Sequence, residues 1–238
     1  MIDDAMRGGR AGCVRRLLLI NPNSNAAITA QVQELADRTL EGGVIAADAV
    51  GLPDAPIAIQ STADRALAEP MAIERIRAGV AAGYDGIVMA CFDDIAISER
   101  GRIRSPVVDA VDSSLSIART LAKRFAIITT FDAALPRIRT LISRHGLDGI
   151  CSARAAGIGV TAAADLAPET LARLQSTIDT AIAEDGAEAI ILGSGALAGR
   201  GQLLSAGRAV PVIDSIEAAI RLAAAAVAYS NAGRTRQA

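Results

Sequence analysis

The sequence predicts an α/β protein of two pseudo-symmetric lobes, each a parallel sheet flanked by helices, with an active site at the lobe interface. Three observations lead to this fold class. Short apolar runs bounded by turn residues alternate with longer amphipathic stretches, which is typical of βαβ units. Aromatic residues make up only 2% of the 238 residues, so Ala, Ile, Leu and Val must fill the core. Blocks of the first half also recur, in the same order, in the second half.

The apolar runs predict the strands, and the amphipathic stretches between them predict the helices. The strands are expected at Arg16–Ile20, Gly86–Met89, Val107–Val108, Phe125–Thr129, Ala189–Leu192 and Val210–Ile213. The helices are expected to include Ala26–Leu40, Ala68–Ala82, Ser113–Lys123, Ala134–His145, Pro168–Glu184 and Ser215–Ala228. Ser24 or Asn25 is a suitable N-cap for the first helix. Pro168 suits a first helical turn because proline there loses no helical hydrogen bond.

Three pairs of blocks repeat at offsets of about 105 residues, as expected for a duplicated α/β unit. The pairs are 16–23 with 124–131, 83–91 with 186–194, and 105–109 with 210–214. The second pair aligns Cys91 with Ser194. We therefore expect an N-terminal lobe of residues 1–113, on which the C-terminal helix of residues 215–238 packs back, and a C-terminal lobe of residues 114–214.

The charge balance bears on the class of partner. Lys and Arg number 24 against 26 Asp and Glu, a formal net charge of −2. The chain therefore lacks the basic surface that nucleic acid or acidic lipid requires. No apolar run reaches the roughly 18 residues that span a bilayer. We expect a small neutral or weakly anionic molecule as partner, with no nucleic acid and no membrane.

The three cysteines are Cys13, Cys91 and Cys151. They are too few and too scattered for a disulfide framework, and none forms a close-spaced metal pair. We therefore expect a cytoplasmic protein without a cysteine metal site. Cys13, near the start of the chain, and Cys151, in a connecting segment, are expected to have no catalytic role.

Cys91 is the first candidate catalytic residue. It follows a hydrophobic strand, so its sulfur is expected at a strand-to-loop junction where N–H groups stabilise a thiolate. The alternative is a buried inert cysteine, the commoner state of a free thiol. The repeat favours function, because ligands of parallel α/β units bind beyond the carboxyl ends of strands and Ser194 then faces the same cleft. The neighbours expected to bind substrate are Phe92, Asp93, Gly193 and Gly195.

Each half also places polar residues at the end of its first strand. Asn21 and Asn23 lie just past that strand in the first half, and Thr129 and Thr130 occupy the equivalent place in the second. Helix capping alone would explain one of the asparagines, and ordinary strand-end residues are the alternative for the threonines. We expect their amide and hydroxyl groups to contact a polar ligand.

Three other patterns fit less well. His145, the only histidine, precedes Gly146, and this order indicates a helix C-terminus rather than a base for Cys91. The serine-hydrolase elbow needs glycine two residues before the nucleophile, where this chain has Leu192. The glycines from Gly193 to Gly199 superficially resemble a dinucleotide fingerprint, but the first half has no equivalent glycines. They are instead expected to let the backbone approach a small ligand.

Four blocks taken together resemble hydantoin racemases of the aspartate/glutamate racemase superfamily. The blocks are Leu19–Ser24, Ala90–Asp94, Ile127–Thr130 and Glu184–Gly193. The resemblance runs from about Arg15 to Val227. It implies a two-lobed pseudo-symmetric fold, commonly oligomeric, with a cofactor-independent site between the lobes. It also implies two cysteines that act as acid and base on opposite faces of the substrate carbon.

One departure from this family bears on activity. Cys91 matches the first catalytic cysteine, but Ser194 stands where the family has the second. A thiol titrates near pH 8.5, whereas an alkanol is a far weaker acid, so Ser194 is expected to be a poor proton-transfer partner.

We therefore expect a homo-oligomeric isomerase that racemises 5-substituted hydantoins or related cyclic ureides, impaired by Ser194. One alternative is a one-cysteine decarboxylase or other lyase of the same fold. A carboxylated substrate would require a cationic anchor, and no Arg or Lys except Arg200 lies in the proposed loops. The other alternative is a non-catalytic small-molecule binding protein.

Overall fold

The computed structural model describes residues 14–232, with side chains through residue 230, and contains two sheets. Cys13 and residues 233–238 of the expected C-terminal helix lie outside the described residues. The strands are β1 Arg15–Ile20, β2 Ile45–Val50, β3 Gly86–Met89, β4 Val107–Asp109, β5 Phe125–Thr129, β6 Cys151–Ala155, β7 Ala189–Leu192 and β8 Val212–Asp214. The helices are α1 Ala26–Thr39, α2 Thr62–Ala81, α3 Ala110–Leu121, α4 Leu135–Arg144, α5 Val160–Asp165, α6 Pro168–Asp185, α7 Gly201–Ser205 and α8 Ser215–Ala232.

The two sheets have the same topology, which confirms the predicted fold class. Both are four-stranded and parallel, with strand orders β2-β1-β3-β4 and β6-β5-β7-β8. Every residue of β3, β5 and β7 is buried. These interior strands are the uninterrupted apolar runs that the sequence displays, because helices cover both faces of a parallel sheet.

The edge strands β2 and β6 were not predicted. Their sequences, Ile-Ala-Ala-Asp-Ala-Val and Cys-Ser-Ala-Arg-Ala, contain small and charged residues, and most of their positions are only partly buried. Edge strands tolerate such composition because one side has no neighbouring strand and meets solvent. Cys151 therefore begins a strand and does not lie in a connecting segment.

Helix α2 begins six residues earlier than the apolar pattern predicts. Ser61 and Asp64 form a capping box, in which the Ser61 hydroxyl accepts from the Asp64 N–H at 3.1 Å and the Asp64 carboxylate accepts from the Ser61 N–H at 2.9 Å. The cap starts the helix before the first buried residue, Ala68.

The two lobes exchange helices. Helix α3 follows β4 of the first sheet but also lies against β7 and β8 of the second, whereas α8 follows β8 and lies against β3 and β4 of the first. The helices α3 and α8 also pack against each other. The absent side chain of Gly86 makes room for α8, because a Cβ there would lie 2.7 Å from Val227 Cγ2. The lobe boundary between residues 113 and 114 stays a prediction.

No helix in the described part of the chain combines the length and the hydropathy needed to cross a membrane.

Candidate active site

A cavity lies between the two lobes, at the edge where the parallel strands of both sheets end. Its volume of about 350 Å³ falls at the small end of the range of about 300–1,000 Å³ that is usual for ligand pockets. The sequence-predicted residues that line it are Asn23, Cys91, Phe92, Asp93, Thr129, Gly193, Ser194 and Gly195. Asn21 and Thr130 do not line it and are almost fully buried.

The loops that carry Cys91 and Ser194 are packed tightly against each other. A Cβ on Gly195 would lie 3.1 Å from the carbonyl oxygen of Ala90 and 3.8 Å from the Cα of Cys91. A Cβ on Gly193 would lie 2.5 Å from Ile127 Cγ2. The sequence suggested that these glycines let the backbone approach a ligand. In the structure they also make room for neighbouring protein atoms. Their absent side chains let the two loops close the cavity from both lobes.

The Cys91 thiol is partly buried in the cavity wall. Burial raises the pKa of this thiol to about 12, although the positive charges of Arg137 and Arg65 oppose the rise. The resting side chain is therefore the protonated thiol. The thiolate stabilised by N–H groups that the sequence suggested is not found. A protonated thiol donates a proton readily but must first be deprotonated to act as a base.

Ser194 lines the same cavity, at the start of a 3₁₀ turn that spans Gly195–Leu197. Its carbonyl oxygen accepts from the Leu197 N–H at 3.0 Å. The hydroxyl has no hydrogen-bond partner among residues 14–232, so it remains free for a ligand or water at the cavity wall.

Asn23 is held in place by a neighbouring amide. Asn21 Nδ2 donates to Asn23 Oδ1 at 2.9 Å and to Thr29 Oγ1 at 3.0 Å, and the Asn25 N–H also donates to Asn23 Oδ1 at 2.9 Å. Asn25 caps α1, as the sequence indicated. Because Asn23 uses its oxygen for these contacts, its Nδ2 is the group left for a ligand in the cavity. Asn21 supports Asn23 from behind.

The two threonines differ in position. Thr129 lines the cavity, and within the described residues its hydroxyl has no hydrogen-bond partner. Thr130 is fully buried outside the wall, and its hydroxyl is also unpaired within the part of the chain described. Only Thr129 is therefore placed to contact a ligand directly.

Five charged residues form a network that we call the Arg–Asp cluster: Arg65, Asp93, Asp94, Arg137 and Arg144. Arg65 Nη1 and Arg137 Nη2 both donate to the carboxylates of Asp93 and Asp94. Arg65 Nη2 donates to the Asp94 carbonyl oxygen at 3.0 Å, and Arg144 Nη1 donates to Asp94 Oδ2 at 2.6 Å. Arg65 belongs to α2, whereas Arg137 and Arg144 belong to α4, so the cluster connects the two lobes beside Cys91.

The expectation that Arg200 alone supplies a cation near the site was wrong. Arg65 and Arg137 line the cavity, whereas Arg200 lies outside it and donates to the Ala164 carbonyl oxygen at 3.1 Å. Sequence reasoning missed both arginines because it considered only loops after strands. Each lies in the first turns of a helix that follows a strand, and those turns meet the same sheet edge.

The remaining candidates lie apart from the cavity. His145 caps the C-terminus of α4, and its Nε2 is 3.5 Å from Asp112 Oδ1. Asp214, the last residue of β8, accepts from the backbone N–H groups of Gly199, Ile216 and Glu217. Residues 14–232 contain no group of three or more His, Cys, Asp or Glu side chains arranged to hold a metal ion.

Comparison with known proteins agrees with the fold and confirms the resemblance seen in the sequence. A family model described as Asp/Glu/Hydantoin racemase matches residues 17–223. The chain is 36% identical over 209 residues to a hydantoin racemase of Rhizobium meliloti, covering 87% of this chain and 86% of that protein.

Solved structures extend the comparison. The allantoin racemase from Klebsiella pneumoniae superposes with a TM-score of 0.84 at 31% identity, covering 90% of this chain and 88% of that one. A mutant of arylmalonate decarboxylase superposes with a TM-score of 0.70 at 17% identity, covering 90% and 92% of the two chains, and shares the fold alone. The chain therefore belongs to the Asp/Glu/hydantoin racemase family, and its racemase relatives indicate that it is an isomerase.

Proposed function

We propose that this protein racemises 5-substituted hydantoins or related cyclic ureides without a cofactor, by proton transfer between Cys91, Ser194 and the substrate carbon. The observation that supports it most directly is the placement of Cys91 and Ser194. They follow equivalent strands of the two repeats, each two residues after the strand end, and line one cavity. Proton transfer on two faces of one carbon requires this arrangement.

In the proposed reaction the Cys91 thiol first loses its proton to water, and the resulting thiolate then removes the proton from C5 of the ring. The electron pair of the C–H bond moves toward the adjacent carbonyl and gives an enolate-like oxygen. Asn23 Nδ2 and the Thr129 hydroxyl are the donors in the wall that would hold the ring carbonyls and this developing charge. The Ser194 hydroxyl gives a proton to C5 on the opposite face, which completes the inversion, and water returns a proton to the serine oxygen.

The Ser194 position limits this inversion. An alkanol is a much weaker acid than a thiol, so proton delivery on the Ser194 face is the slow step of the proposed reaction. The protein is then an impaired racemase in which Cys91 exchanges a proton on its own face faster than configuration is inverted.

The Arg–Asp cluster favours a second candidate, a lyase that uses one cysteine. Arg65 and Arg137 line the cavity, and they would supply the cationic anchor that a carboxylated substrate requires. A decarboxylase needs only one proton donor, and the protonated Cys91 thiol suits that role. Release of carbon dioxide from a carboxylated substrate would distinguish this lyase from a racemase.

The proposed function is tested by a racemisation assay. Single enantiomers of hydantoins with aliphatic, aromatic and polar 5-substituents are incubated with the purified protein, and optical activity is followed by circular dichroism. Loss of optical activity faster than in a Cys91→Ala control supports the proposal. Rates equal to that control for every hydantoin, together with no exchange at C5 in deuterated water, would rule it out.

A further inference from the structure

Arg137 has hydrogen-bond donors that no protein group uses. Its Nη2 donates to the carboxylates of Asp93 and Asp94. Within residues 14–232, no acceptor pairs with its Nε, which is fully buried. Its Nη1 also has no hydrogen bond in the described part of the chain. A buried N–H without an acceptor is unfavourable, and this one belongs to a residue of the cavity wall.

The two other arginines of the Arg–Asp cluster differ from Arg137. Arg65 also lines the cavity, but both of its terminal nitrogens already have acceptors in Asp93, Asp94 and the nearby Glu69, the last at 3.5 Å. Arg144 pairs with Asp94 and does not line the cavity. Arg137 is therefore the member of the cluster that both reaches the cavity and retains free donors.

The charges at the wall favour an anion over a neutral acceptor. The charged residues that line the cavity are Arg65, Arg137 and Asp93, two cations and one carboxylate. Asp94 and Glu69 lie outside the wall. Burial lowers the pKa of Arg137, and the neighbouring charges of Arg65 and Arg144 lower it further. A further anion beside Arg137, in addition to Asp93 and Asp94, would relieve this repulsion.

We propose that the substrate of this cavity carries an anionic substituent, a carboxylate, which binds to Arg137 with support from Arg65. This inference rests on the proposed function and names its substrate class: a cyclic ureide whose 5-substituent ends in a short carboxylate. The cavity volume of about 350 Å³ leaves room for a small ring with a short side chain. Charge-assisted pairing of guanidinium with carboxylate supplies the specificity.

A pair of nearly isosteric ligands tests the charge requirement. Binding of 5-carboxymethylhydantoin and 5-carbamoylmethylhydantoin to the unmodified protein is measured by isothermal titration calorimetry. The acid should bind at least about tenfold more tightly than the amide, a ratio equivalent to about 1.4 kcal/mol. Equal affinity, or tighter binding of the amide, would overturn the proposal.

Two substitutions on α4 then locate the effect. Arg137→Met should reduce the preference for the acid to below about threefold, and Arg137→Lys should retain part of it because the positive charge remains. Arg144→Met is the matched control, because it also removes an ion pair to Asp94 but leaves the residues of the cavity wall unchanged. It should keep the full preference. A preference that survives in Arg137→Met, or that disappears equally in Arg144→Met, contradicts the assignment.

An acyclic pair separates this inference from the proposed function. 3-Ureidopropionate and 3-ureidopropanamide present a ureido group with one acid or one amide and no ring, and neither has a second carboxylate. An Arg137-dependent preference for the acyclic acid with no binding of either hydantoin would keep the anion site and refute the hydantoin substrate. Exchange at C5 of both hydantoins with equal affinities would keep the racemase and refute the anion site. Failure of all four ligands to bind refutes both.

Discussion

Gly195 lies directly against Cys91, so that a side chain on residue 195 would press on the loop that carries Cys91. A Cβ on Gly195 would approach the carbonyl oxygen of Ala90 to 3.1 Å and the Cα of Cys91 to 3.8 Å. The spacing between the two proposed proton-transfer positions is thus set by a glycine contact between the lobes.

Gly195→Ala is expected to push the loops apart by a few tenths of an ångström and to lower C5 proton exchange by at least about tenfold, because proton transfer depends steeply on geometry. Exchange is measured by NMR in deuterated water. Gly159→Ala is the control, since a Cβ there meets no atom within 4 Å. Similar exchange rates in both variants would show that the glycine contact does not set the geometry.

Ser194→Cys should restore two-sided proton transfer. If the proposed function is correct, the racemisation rate should rise at least about tenfold, or about 1.4 kcal/mol of barrier, which is modest for a positioned acid–base group. In the unmodified protein one enantiomer should incorporate deuterium with retention while the other exchanges little. Equal exchange of both enantiomers in the unmodified protein would contradict the face-by-face assignment. An unchanged rate in Ser194→Cys would remove Ser194 from the pair.

The Cys91 thiol should react slowly with alkylating agents at neutral pH. Because burial raises its pKa to about 12, the thiolate fraction, and with it the rate, should rise about tenfold for each pH unit between pH 7 and pH 10. Alkylation by iodoacetamide is followed by mass spectrometry of the peptide that contains Cys91. The Cys151→Ala background removes the other described cysteine, whose pKa burial also raises to about 12. A rate that levels off near pH 8 would show an activated thiolate instead.

Asp214 should make folding stability fall as the pH rises. Burial raises its pKa from 3.8 to about 6, and its three backbone N–H donors only partly oppose the rise. Folding therefore favours the protonated carboxyl, and this stabilisation is complete below pH 3.8 and lost as the pH passes about 6. The loss amounts to about 3 kcal/mol.

Asp214→Asn removes this titration, although the amide weakens the contact with the Gly199 N–H. The free energy of unfolding is measured by urea denaturation at several pH values between 4 and 7. The difference between variant and unmodified protein should shift in favour of the variant as the pH rises through this range. A difference that is constant with pH would contradict the raised pKa.

The fold was predictable where burial is complete. Strands β3, β5 and β7 are buried throughout because both faces are covered, and their predominantly apolar sequences carry a strong signal. The strands β2 and β6 were missed because solvent at a sheet edge accepts Asp48 and Arg154, which interrupt the apolar pattern.

The candidate site was predictable where it follows the repeat. Cys91 and Ser194 were found because a strand end has a fixed place at the sheet edge. Arg65 and Arg137 were missed for a different reason. Their side chains reach the cavity across the space between the lobes, and that distance depends on how the two sheets are oriented, which no local pattern in the sequence encodes.

The exchange of α3 and α8 makes the two halves depend on each other for folding. Each sheet is covered in part by a helix whose sequence belongs to the other repeat. Either half expressed alone would leave buried strands such as β3 or β7 without part of their cover, and would expose apolar surface to water. The duplicated chain should therefore unfold in one cooperative transition, as a single folding unit built from two copies.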